Sequence, residues 1–158
     1  MAEQNEHAFR LRKDLDQPIP PPEWPPGISW RTLLSDDAQT VYEVMSKAFD
    51  DGRGVPTFDL WWPNFSADPE FDPSLCFLVS GKGGLAGVAL CWRSAFVKDL
   101  AVDPAMQRRG IGGNLLKLVF RTFRARGASH VDLKVEANNT SAIRLYEKAG
   151  MYRVPWDG

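Results

Sequence analysis

Hydrophobic residues along this chain switch between two spacings, every second position and every third or fourth, and the switches mark its elements. Residues 28–34, ISWRTLL, alternate as a strand. SDDAQTVYEVMSKAFDD follows with capping residues Ser35 and Asp36, and Ala38, Val41, Tyr42, Met45, Ala48 and Phe49 fall at helical spacing. The aromatic stretch VPTFDLWWPNFS reads as a short helix or turn. LCFLVS and LAGVALCW, joined by GKGG, are the arms of a hairpin, and SAFVKDLAV is a further strand close behind. A second helix is predicted from about Gly113 to Arg126, with Leu115, Leu116, Val119, Phe120 and Phe123 as its buried stripe and Gly127 as its stop. HVDLKVEA alternates as a strand, NNTSAIRLYEKAG is a capped helix ended by Gly150, and MYRVPW is at most one short terminal strand. The order is strand, helix, a three-strand meander, then helical and strand-like units in alternation. It predicts a mixed α/β sheet with helices packed on it.

The N-terminal end is different. Residues 17–27, QPIPPPEWPPG, hold six of the twelve prolines and form an extended connector between a short leading piece and the main domain, 28–158. Ahead of it, HAFRLRKDL (7–15) alternates Phe9 and Leu11 with Arg10 and Arg12, as a half-buried strand does. A length of 158 residues suits one domain with a real core. The net charge of −1 gives no general attraction to nucleic acid or anionic membrane, and no partner of either kind is expected. The polar start lacks a signal-peptide core, and no apolar run approaches the ~20 residues of a membrane helix, so a cytoplasmic protein is expected. Cys76 and Cys91 lie in apolar runs without metal-ligand spacing and read as buried, reduced thiols. With only His7 and His130 besides, no metal site is expected.

Chemistry concentrates at VDPAMQRRGIGGNLL, residues 102–116. The first amides of a helix have no partner inside it, and the helix dipole leaves that end partially positive. Gly110, Gly112 and Gly113 ahead of a good helix, flanked by Arg108 and Arg109, therefore suit a phosphate or pyrophosphate, while composition alone equally allows an ordinary loop of turn glycines and solvated arginines. The stretch is no Walker loop, since no lysine follows the glycines. Nor is it a dinucleotide fingerprint, which needs a glycine where Leu115 stands.

The run Gln107-Arg108-Arg109-Gly110-Ile111-Gly112, preceded by KDLAVDPAM, closely resembles the acetyl-CoA loop of the GNAT-type N-acyltransferase superfamily. VEANNTSAIRLYEKAGM resembles the downstream segment of the same family through Asn139, Ala142, Tyr146 and Gly150. The resemblance extends over about residues 28–154. It implies a mostly antiparallel central sheet of about six to seven strands, with a splayed parallel central pair and helices on both faces.

The resemblance further implies an N-acetyltransferase that moves an acetyl group from acetyl-CoA to the amine of a small molecule or peptide. The pyrophosphate would sit on the amides from Arg108 through Gly113. The pantetheine arm would lie between FVKDLAV and HVDLKVEA, against the backbone of Leu100, Ala101 and Val102. Asn139 would contact the cofactor or cap its helix. Tyr146 would be the acid that protonates the leaving thiolate, or else a core residue. Lys117, Arg121 and Arg124 share a helical face that is solvated or reaches the 3′-phosphate. The strand position at which some members carry a glutamate base corresponds here to about Phe96, so Asp99 becomes the candidate base. Asp50, Asp51, Trp61 and Trp62 fall where the family builds its acceptor site, although the two adjacent tryptophans suit a core equally well. The absent glutamate leaves a second class open, a non-catalytic acyl-CoA-binding or interaction module of the same fold. Too little chain follows Gly150 for the family's last two strands, so residues 8–14 are expected to fill the final slot, within the chain or swapped into a twin subunit of a homodimer.

Overall fold

The computed structural model describes residues 7–49 and 55–156, so Asp50 and Asp51 lie outside the described residues. Seven strands form one sheet: β1 (Ala8–Asp14), β2 (Ser29–Thr32), β3 (Phe71–Gly81), β4 (Gly84–Trp92), β5 (Phe96–Val102), β6 (His130–Glu136) and β7 (Tyr152–Val154), in the order β2-β3-β4-β5-β6-β1-β7. All neighbours are antiparallel except β5 and β6. Among the described residues four α-helices cover it: α1 (Ala38–Ala48), α2 (Phe58–Ala67), α3 (Ile111–Ala125) and α4 (Thr140–Lys148).

Strand alternation divides the apolar residues between two cores. Leu75, Phe77 and Val79 of β3 and Ala89 and Cys91 of β4 pack with the α3 stripe of Leu115, Leu116, Val119, Phe120 and Phe123. Cys76, Leu78, Val88 and Leu90 face the other way, onto Val41, Val44 and Met45 of α1 and Trp61 and Phe65 of α2. Both cysteines are buried and free, and burial pushes the Cys76 thiol up to about 12. The mixed α/β architecture with helices on both faces is the one expected.

Several boundaries differ from the periodicity. β2 keeps only Ser29–Thr32 of the predicted 28–34. The expected caps Ser35 and Asp36 fall in a 3-10 turn instead, and α1 begins three residues later at Ala38. Residues 58–67 are a full helix despite Pro63. α3 starts at Ile111, two residues earlier than predicted, because Gly110 takes the left-handed N-cap conformation at φ 80°.

β1 lies between β6 and β7 of its own chain, pairing with β6 from Ala8↔Glu136 to Asp14↔His130 and with β7 from Arg10↔Val154 to Arg12↔Tyr152. The proline-rich connector then crosses α3 and is fastened to it. Leu15 and Ile19 are buried. Arg124 donates to the Leu15 carbonyl and Arg121 to the Ile19 carbonyl, at 3.1 and 2.6 Å. The Arg121 and Arg124 side chains are exposed, as on a solvated face, and each also donates to a carbonyl of the N-terminal segment. Asn114 is buried and exchanges two 2.9 Å bonds with the backbone of Glu23.

Candidate active site

β5 carries the irregularity that opens the sheet. On its β4 side Cys91 pairs with Val97 and Leu90 with Asp99, so Lys98 is the extra residue of a β-bulge. A bulge bends its strand and increases the local twist. On the other side the parallel ladder consists of Phe96↔Asp132 and Val97↔Leu133, and the strands separate from Lys98 and Lys134 onward. β6 stays with β1 instead. The buried Asp132 carboxylate accepts from Arg10 Nε at 2.7 Å and from Arg12 Nε and Nη2 at 2.8 and 3.0 Å. Burial alone would raise this carboxyl, but the bonds from Arg12 and Arg10 outweigh it and hold the group below its ordinary value.

The bulge also reverses the side-chain alternation. Val97 packs in the α3 core, whereas Ala101, four residues on, packs in the α1 and α2 core. Asp99 shares the face of Ala101. Regular alternation, which would have turned Asp99 away from the gap, fails at the bulge. The Asp103 amide bonds to the Ala86 carbonyl at 2.8 Å, on the β4 side. Antiparallel ladders alternate their bonding residues, so Ala101 and Asp99 also turn their backbone toward β4, and Leu100 and Val102 turn theirs toward the gap.

The gap is a cleft of about 770 Å³. It brings Asp99, Leu100, Asn139 and Tyr146 together with Phe96 and Lys98. Tyr146 is buried, and its hydroxyl has no hydrogen-bond partner among the described residues. Burial first, and the charge of Asp99 second, push it up to about 12. Burial raises the Asp99 carboxyl above its ordinary value, and Lys98, whose Nζ lies 2.8 Å from Oδ2, only partly offsets this. Lys98 Nζ also lies 5.4 and 6.0 Å from the ring centroids of Phe65 and Trp92. The Asn139 side chain accepts from the Ala142 amide at 3.3 Å, so it caps α4 while lining the cleft.

At its far end β5 leads into the glycine loop. Gln107 Nε2 donates to the Val102 carbonyl at 3.3 Å and ties the loop to the strand. Arg108 at φ 67° and Gly110 at φ 80° both adopt left-handed conformations, with Arg109 between them. Among the described residues, no carbonyl or side chain accepts from the amides of Arg108, Arg109, Gly110, Ile111, Gly112 or Gly113. Successive unpartnered amides at a helix start form an anion cradle. The Ile111 side chain itself is buried in the core.

The glycines have separate tasks. A Cβ on Gly112 would meet Leu145 of α4 at 3.1 Å, so this residue serves helix packing. A Cβ on Gly113 would meet nothing within 4 Å. Gly87, which the sequence reading missed, sets the seat of α3. A Cβ there would lie 3.2 Å from both the Ala101 carbonyl and Ile111 Cγ2. Its place between two apolar residues in LAGVALCW was the available signal.

Trp61 is buried and stacks on Phe65 at 5.7 Å, within an aromatic cluster that also holds Trp62, Phe58 and Phe71. It is a core residue. Among the described residues no group of His, Cys, Asp and Glu could hold a metal ion, and no helix is long and apolar enough to cross a membrane.

Residues 38–151 match the profile described as the Acetyltransferase (GNAT) family. The chain belongs to the GNAT acetyltransferase family. Its GNAT relatives include the mycothiol acetyltransferase of Thermobispora bispora, 30% identical over 92% of this chain and 53% of the relative. That of Clavibacter michiganensis is 35% identical over 79% and 42%. The chain spans about half the length of these relatives. Among solved structures, a GCN5-related N-acetyltransferase from Sphaerobacter thermophilus superposes with a TM-score of 0.81 at 34% identity, over 93% of this chain and 48% of that one. The ribosomal-protein-S18-alanine N-acetyltransferase of Escherichia coli gives 0.65 at 25% identity, over 78% and 76%. GNAT membership agrees with the resemblance seen in the loop and the α4 segment.

Proposed function

We propose that this chain transfers an acetyl group from acetyl-CoA to a primary amine of a small molecule or peptide. The observation that carries the reading is the run of six amides without partners among the described residues, Arg108 to Gly113, beyond the end of β5, the strand whose residues 96–100 line the cleft with Tyr146. A diphosphate fits the amides, and an extended polar arm fits the backbone edge of β5 at Leu100 and the Val102 amide, the Val102 carbonyl being already bonded to Gln107. Bound acetyl-CoA supplies a thioester carbonyl for attack. Asp99 takes the proton of the incoming amine, for which its raised carboxyl is better matched than an ordinary one. Tyr146, protonated throughout the working pH range, donates to the departing thiolate.

Phe96 at the position of the strand glutamate favours the second reading, acyl-CoA binding without turnover. Thiol release from acetyl-CoA separates the two. The amine panel should contain the acceptors that the relatives' names suggest, a mycothiol-type amine and a peptide with an N-terminal alanine. Amine-dependent release with formation of the acetylated amine is expected. Coenzyme binding with no release against any amine would replace transferase by binding module.

A further inference from the structure

Lys98 stands apart from the residues that the proposed reaction uses. It is the bulge residue of β5 and the first residue past the last β5–β6 pair, so its backbone lies at the vertex of the gap. Its side chain is 30% exposed and lines the same cleft as Tyr146. It stands four positions before Val102, about 13 Å along a strand. An acyl-CoA arm that enters at the glycine loop and follows β5 would bring its thioester end toward this vertex. Lys98 thus presents a primary amine within the chain at the end of the acyl path. The amine already has a proton acceptor, since Asp99 Oδ2 lies 2.8 Å from Nζ. Phe65 and Trp92 flank the ammonium and confine it to that corner.

We propose that Lys98 is a self-acetylation site: its ε-amine accepts an acetyl group from the acyl-CoA thioester bound in its own cleft. The inference rests on the acetyl-CoA reading above. Nζ gives one proton to Asp99 and attacks the thioester carbonyl; the N–C bond forms and the C–S bond breaks. The coenzyme thiolate takes a proton from Tyr146, which recovers one from the attacking nitrogen. The products are an uncharged acetyl-lysine, free coenzyme A thiol and one proton passed from Asp99 to water. Neutral acetyl-lysine no longer forms the ion pair with Asp99.

The test uses the full chain with acetyl-CoA and no added amine, followed by intact mass and peptide mapping. One acetyl group, on Lys98, is expected, formed at least tenfold faster than on the exposed Lys47, Lys82 or Lys148. Lys98→Arg should remove it, and Tyr146→Phe should slow it by about 10²-fold if the same acid serves. Acetyl groups spread evenly over the lysines, or equal labelling in Tyr146→Phe, would overturn the proposal as ordinary chemical acetylation. Calorimetry with coenzyme A runs in parallel. Tight coenzyme binding with Lys98 unmodified overturns this inference alone; no binding overturns the functional reading and this inference with it.

Discussion

Replacing Gly113 by glutamate should move stability and coenzyme affinity in opposite directions. Gly113 is the third residue of α3, and a Cβ there meets nothing within 4 Å, so the side chain needs no repacking. Removing a helical glycine contributes about 0.5 kcal/mol. A carboxylate in the first turn adds about 0.3–1 kcal/mol through the helix dipole. The sum of about 1 kcal/mol should raise the Tm by about 2–4 °C for a chain of this size. The same carboxylate occupies the anion cradle. A unit charge at about 4 Å repels another by ~1 kcal/mol even in water, and two phosphates bring the cost to about 2 kcal/mol, or roughly thirtyfold in Kd. Scanning calorimetry reads the first number and titration calorimetry with coenzyme A the second. A variant that is stabilised yet binds coenzyme A as tightly as the parent would refute the cradle. Gly112→Val would be a poorer probe, because its Cβ already presses on Leu145.

Tyr146→Phe keeps the buried ring and removes a hydroxyl with no partner among the described residues, so Tm and coenzyme affinity should hold while turnover drops by about 10²-fold; wild-type turnover would make Tyr146 a packing residue. Turnover should decline on acidification through an Asp99 value raised above that of an ordinary carboxyl, and Asp99→Asn should abolish this acid limb; a limb that persists in the variant assigns it elsewhere. Asp132→Asn should cost about 2–3 kcal/mol at neutral pH by breaking the buried link between β1 and β6. Because the folded Asp132 carboxyl is held low, this difference should be complete above the ordinary carboxylate range and lost as pH falls through the folded value; denaturant titrations at several pH values check it.

The glycine loop and the helix cap at Asn139 were legible because local pattern encodes them. The α3 stripe, the glycines before it and the Asn139 cap each act within a few residues, and the structure keeps those relations. The Asp99 end of the cleft depends on longer range. A period-two reading of FVKDLAV cannot reveal the bulge at Lys98, which arises from the register with β4 and turns Asp99 onto the face of Ala101. Arg121 and Arg124 are exposed, but the carbonyls they also meet, those of Ile19 and Leu15, lie 102 and 109 residues away along the chain and leave no local signal. Gly87 went unread for the same reason: the groups that exclude its side chain come from β5 and α3. The alternation of Phe9 and Leu11 with two arginines did show a strand, but its arginines meet one buried carboxylate that only the sheet brings near.

The central claim is that the amides of the glycine loop and the open edge of β5 hold the acyl donor. A titration of the isotope-labelled protein with coenzyme A, followed by amide chemical shifts, tests it residue by residue. The account predicts that Arg108 through Gly113 shift together with Leu100 and Val102, at a common midpoint, while β2 and β3 stay unmoved. Shifts confined to residues outside the loop and β5, with Arg108 to Gly113 unchanged at saturation, would contradict it.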